Sequence, residues 1–67
     1  MDQFAERMYR EEFASHDTPV LMARAHDIFT RDGRYFTRAF ELAVIELTRR
    51  GEVFIREARE AREAKEA

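Results

Sequence analysis

Phe40-Glu41-Leu42-Ala43-Val44-Ile45-Glu46-Leu47-Thr48-Arg49-Arg50-Gly51-Glu52-Val53-Phe54-Ile55-Arg56 is the stretch on which the fold turns. Phe40, Val44, Leu47, Gly51 and Phe54 recur in alternating steps of four and three, and Ala58 and Ala61 continue the series. Phe36 and Ala43 flank this stripe. The phase passes through Gly51 unbroken, which predicts one helix of about 30 residues, about 45 Å long, starting near Tyr35 or Thr37. Gly51 inside it costs about 1 kcal/mol relative to Ala. Ile45 and Val53 fall on the opposite face and Ile55 at the margin, so these three lack an evident place in the core.

Toward the C-terminus the helix runs into Arg56-Glu57-Ala58-Arg59-Glu60-Ala61-Arg62-Glu63-Ala64. A period of three drifts about 60° per repeat against the helical 3.6, so the alanines spread around the axis and form no strong packing face. Ala, Arg and Glu favour helix all the same. Arg56 with Glu60, Arg59 with Glu63 and Arg62 with Glu66 are (i, i+4) pairs of opposite charge. Residues 57–67 therefore read as a solvated helical tail that frays, and residues 1–56 as a single domain.

Two shorter helices precede this one. Phe4, Ala5, Met8, Tyr9 and Phe13 are spaced for a first helix from about Asp2 to Ser15. Asp17-Thr18-Pro19 then stops and restarts the chain, with Thr18 as N-cap and Pro19 at the first helical position, where a missing N–H loses no bond. Leu21, Met22, Ala25, Ile28 and Phe29 make the apolar side of the second helix, which Asp32-Gly33 closes because Gly accepts the left-handed conformation. The expected fold is all-α: a small three-helix domain, a helical hairpin packed on a long C-terminal helix. Phe29, Phe36, Phe40 and Leu47 are its expected core. Phe13, with Met1, Phe4 and Met8, reads as less securely buried because the first helix has an acidic solvent face.

Composition narrows the functional classes. A chain of 67 residues carries one domain at most and buries only about 60% of its unfolded surface, so such chains usually rely on a disulfide, a metal or a partner. There are no cysteines, which removes the first and fits a reducing compartment. No secretory pattern and no apolar run of ~18 residues occurs, so a cytoplasmic location without membrane is expected. Net charge is −2, with no overall basic excess for nucleic acid. Residues 1–17 hold five acids against two arginines, whereas residues 24–50 hold six arginines against four acids.

Chemistry-bearing motifs are few. Ser15-His16-Asp17 is echoed by Ala25-His26-Asp27, and Glu12 with His16 has helical (i, i+4) spacing. Neighbouring residues on a helix point about 100° apart, however, so His26 and Asp27 cannot both address one ion. His16 has a simpler role at the negative end of the first helix. Ser15 is the lone serine, and neither an oxyanion-hole motif nor a Gly-rich phosphate loop is present. No catalytic residue, metal or cofactor is expected, and the chain is not expected to be an enzyme.

Two readings of function follow. In the first, the chain is a protein-interaction module (an inhibitor, adaptor or assembly subunit) that also self-associates, as a homodimer through the C-terminal half of the third helix. Ile45, Val53, Ile55, Met1, Phe4 and Met8 are its contact residues. In the alternative, helix two, the Asp32-Gly33 turn and helix three form a helix-turn-helix, with Gly51–Arg56 as a following strand. The stretch from Ala43 to Val53 resembles the end of a winged-helix recognition helix and its exit into the wing. That resemblance implies a DNA-binding regulator with Arg31, Arg34 and Arg38 on phosphates. It accounts for the alternation of Val53 and Ile55 but supplies no second wing strand. The net charge disfavours it.

Overall fold

The structure, a computed structural model, describes residues 1–66. It contains three helices, α1 (Gln3–Ser15), α2 (Thr18–Arg31) and α3 (Arg38–Glu66), and no strand among the described residues. Gly51–Arg56 lies inside α3, so the wing strand that the DNA-binding alternative requires is helix. Ala67 and its part in the expected tail lie outside the described residues.

The helix starts follow from local hydrogen bonding. Asp2 caps α1 by accepting the Ala5 N–H at 2.7 Å. Thr37 caps α3 by accepting the Phe40 N–H at 3.3 Å. The expected Thr18 cap of α2 is corrected: Asp17 is the extended N-cap residue and Thr18 is already helical. The Thr18 hydroxyl instead accepts from the Arg50 guanidinium at 3.1 Å. Gly33 closes α2 with φ +71°, followed by Arg34 at φ +65°, and the Arg34 N–H returns to the Phe29 carbonyl at 2.8 Å.

Pairings fix the topology. Glu6 meets Arg38 near the starts of α1 and α3, and Arg50 meets the carbonyls that end α1, so these helices run parallel. Thr18 meets Arg50 and Phe29 stacks on Phe40, so α2 is antiparallel to α3. Both short helices lie against α3 and have little backbone contact with each other.

The core is small. It comprises Phe13, Leu21, Ala25, Ile28, Ala39, Leu42 and Ala43, with Tyr9, Phe40 and Leu47 packed at its edge. Phe13 is fully buried, so it belongs to the core and not to a docking face. The expected stripe on α3 is rotated. Ala39, Leu42 and Ala43 are buried, Phe40 and Leu47 are half-buried, and Phe36 and Phe54 are exposed. The reason is geometric: α3 must accept two helices, which widens its buried arc and moves it toward α1. Phe36 stays out, edge-on to Phe40 with ring centroids 5.1 Å apart. On α2, Leu21, Ala25 and Ile28 are buried as expected, Phe29 is half-buried, and Met22 is exposed.

The molecule is elongated because α3 outruns its partners. At 1.5 Å per residue α1 and α2 reach about 20 Å and α3 about 43 Å. The radius of gyration is 15.0 Å, against about 11 Å for a compact domain of this length. Gly51 sits on α3 with open space where a Cβ would lie, nothing beyond its chain neighbours and its own helix backbone coming within 4 Å. Gly51→Ala is therefore expected to stabilise the chain by about 1 kcal/mol, raising Tm by about 4–8 °C in a thermal melt.

Candidate interaction surface

Six residues were expected to meet a partner, and the structure distributes them over separate surfaces. Phe4 and Met8, on α1, line a groove with Ala5, Tyr9, Glu12 and Arg24 on the outer side of the α1/α2 pair. Met1, immediately before the Asp2 cap, is exposed. Ile45 faces a second depression between α1 and α3, beside Phe13, Leu42 and Glu46. Ile55 is exposed on the projecting part of α3. Val53 is half-buried, which corrects its placement on the face opposite the core: it lies one turn beyond Arg50 on the side turned toward α1.

Several exposed apolar residues escaped the sequence reading. Phe54 is 70% exposed and shares a third groove with Met22, Leu47, Arg50 and Gly51. Tyr35 and Phe36 stand exposed in the turn before α3. Phe54 could have been found by length alone. Helices of 13 and 14 residues cannot cover one of 29, so the stripe must run out of partners near its middle.

The rims of these surfaces are electrostatically closed. Glu12 accepts from Arg24 at 2.9 Å and pairs with His16 at 3.2 Å. The Arg24 hydrogen bond holds the Glu12 carboxyl below its ordinary value of 4.5; partial burial opposes this, and His16 adds to it. Glu46 is lowered in the same way by Arg49 and Arg50, and Glu6 by Arg38 and Arg10. In the unfolded chain these groups titrate near 4.5, so between that value and the lower folded one the unfolded state binds more protons. The pairs' contribution is complete above pH 4.5 and is lost as pH falls through the folded values. Thermal melts are expected to show Tm flat from pH 7 to 5 and falling below about 4.5, with Glu12→Gln flattening part of that fall.

Of the arginines considered for phosphate contact, Arg38 is tied to Glu6 and, at 2.9 Å, to Glu41, and Arg31 is tied to Asp27. Arg34 is exposed in the turn and forms no ion pair among the described residues. The three are thus not a free cationic cluster. Among the described residues no group of three or more His, Asp or Glu side chains is placed to hold a metal ion. No helix there is long and apolar enough to cross a membrane.

No protein-family model, curated protein or solved structure matches this chain.

Proposed function

We propose that the chain is a small non-enzymatic protein-interaction module, an inhibitor, adaptor or assembly subunit, acting through apolar contact. The observation that carries this reading is the quantity of large apolar side chain left outside a core of seven residues. Phe4, Met8, Met22, Phe54 and Ile55 are each more than half exposed; the Glu12–Arg24 pair lies beside Phe4 and Met8, and the Arg50–Glu46 pair beside Met22 and Phe54. Protein contact cores favour Phe, Tyr, Met and Arg, and depletion of free charge lowers the desolvation cost of docking. Duplex DNA instead rewards clustered unpaired cations.

Immobilised chain, exposed to its own soluble form and to host protein, is expected to retain one partner in stoichiometric amount, and Phe4→Glu with Met8→Glu to abolish the retention. Both side chains are exposed, so these substitutions leave the fold intact. No retained protein, together with a DNA mobility shift abolished by Arg34→Ala and Arg38→Ala, would overturn the proposal.

A further inference from the structure

Two unpartnered surfaces on this chain match each other. The first is the overhang of α3. Contacts with α1 and α2 run from Arg38, held by Glu6, to Arg50, held by Phe13, Ala14 and Thr18. Beyond that point Gly51–Glu66 continues for about 24 Å, and every described residue from Phe54 on is exposed. On this overhang Phe54, Ala58 and Ala61 lie within about 60° of one another around the axis. They also lie in the same direction as Ala43 and Leu47, the side of α3 that carries α1 and α2.

The second surface is the valley between α1 and α2 on the side away from α3. It stays open because those two helices have little backbone contact with each other, and Phe4, Met8 and Tyr9 make it bulky and apolar. A ridge that narrows from Phe54 to the two alanines suits a valley lined with large side chains.

We infer that the partner is a second copy of this chain, in an antiparallel homodimer where each α3 overhang lies in the other's α1/α2 valley and completes a four-helix bundle. The inference rests on the interaction-module reading and names its partner. Symmetry supports it, because the overhang's small-residue side and the valley face the same way from the α3 axis. A two-fold axis across α3 just past Arg50 therefore satisfies both surfaces at once and closes the assembly at two chains.

Area supports it too. The chain exposes 5454 Å², whereas a compact monomer of 8.0 kDa exposes about 4,500 Å². The excess of about 1,000 Å² per chain, about 2,000 Å² for a pair, matches what a stable interface buries. A parallel coil of the two overhangs would bury less. It has about two heptads and brings the two helical heads into collision.

The chain has no cysteine, so single thiols report the geometry cleanly. Met8→Cys and Ala61→Cys, mixed and mildly oxidised, are expected to form the mixed cross-link in preference to either self-link. Sedimentation of the unmodified chain is expected at twice 8.0 kDa. Ala58→Glu is expected to return it to a monomer of unchanged helicity, because Ala58 is exposed within its own chain. A dominant Ala61→Cys self-link would overturn the arrangement in favour of the parallel coil. A mass of 8.0 kDa at every concentration would overturn self-pairing altogether. If that monomer still retained another protein through Phe4 and Met8, the interaction reading would stand without the homodimer; if it retained none, both would fall.

Discussion

Phe13→Ala is expected to leave the chain without a cooperative unfolding transition at room temperature. Phe13 and Leu21 are the two large side chains with no exposure, and Phe13 joins α1 to α3 at the centre of the core, its ring 5.6 Å from Tyr9. Emptying such a position costs about 3–5 kcal/mol, combining lost transfer energy with the cavity left behind. A core of this size supplies about 3–5 kcal/mol in total, so the loss is comparable to the whole. Collapse of the neighbours cannot recover much, since three of the seven core residues are alanines with no rotamers to fill the gap. Circular dichroism melts at matched protein concentration check this, because self-association adds stability by mass action. A cooperative melt within a few degrees of the parent would contradict the assigned core.

Arg50→Met is expected to lower stability by about 2–3 kcal/mol, the next largest effect. One guanidinium reaches the Phe13 carbonyl at 3.0 Å, the Thr18 hydroxyl at 3.1 Å and the Glu46 carboxylate at 3.0 Å. It thus ties the end of α1 and the start of α2 to α3. Hydrogen bonds from a charged donor contribute about 1.5–3 kcal/mol, and here a cation also sits at the negative end of a helix. Methionine preserves most of the stem's packing and removes the donors. Arg50→Lys keeps the charge but cannot present a planar fork to several acceptors, so it should recover only part of the loss. In urea the Met variant is expected to unfold at a lower midpoint with unchanged slope. A change below about 0.5 kcal/mol would show that the contacts are incidental.

Arg50 also shows where a sequence pattern stops being readable. Helical periodicity identified three helices and their approximate limits, since Pro19, Gly33 and the four-three spacing on α3 each have one dominant local meaning. It did not identify which arc of α3 is buried. A hydrophobicity pattern counts Glu46 and Arg50 as outward, yet both are largely covered because they neutralise one another against α1. It counts Phe36 and Phe54 as inward, yet both stay more than half exposed. Thr18 was misplaced for a similar reason: its cap chemistry is local, whereas its actual partner lies 32 residues away.

Of the expected contact residues, Phe4 and Met8 were legible as exposed apolar side chains because they follow the helical repeat beside an acidic face. Val53 was not, because its position depended on the rotation of α3. Phe54 belonged to the core stripe by periodicity and becomes surface only once α1 and α2 are seen to end below it. The rejected strand at Gly51–Arg56 has the same lesson in reverse. Val53 and Ile55 alternate as a strand would, but the helical phase of their neighbours prevailed.

Amide hydrogen exchange of the unmodified chain across a concentration series tests most directly the claim that the α3 overhang is held by a second copy. Protection of Phe54–Glu66 is expected to rise with protein concentration, in step with the outer face of α1 around Phe4 and Met8, while Ala39–Ala43 stays protected throughout. Exchange of the overhang at the rate of a free, exposed helix at every concentration, beside an unchanged protected core, would contradict it.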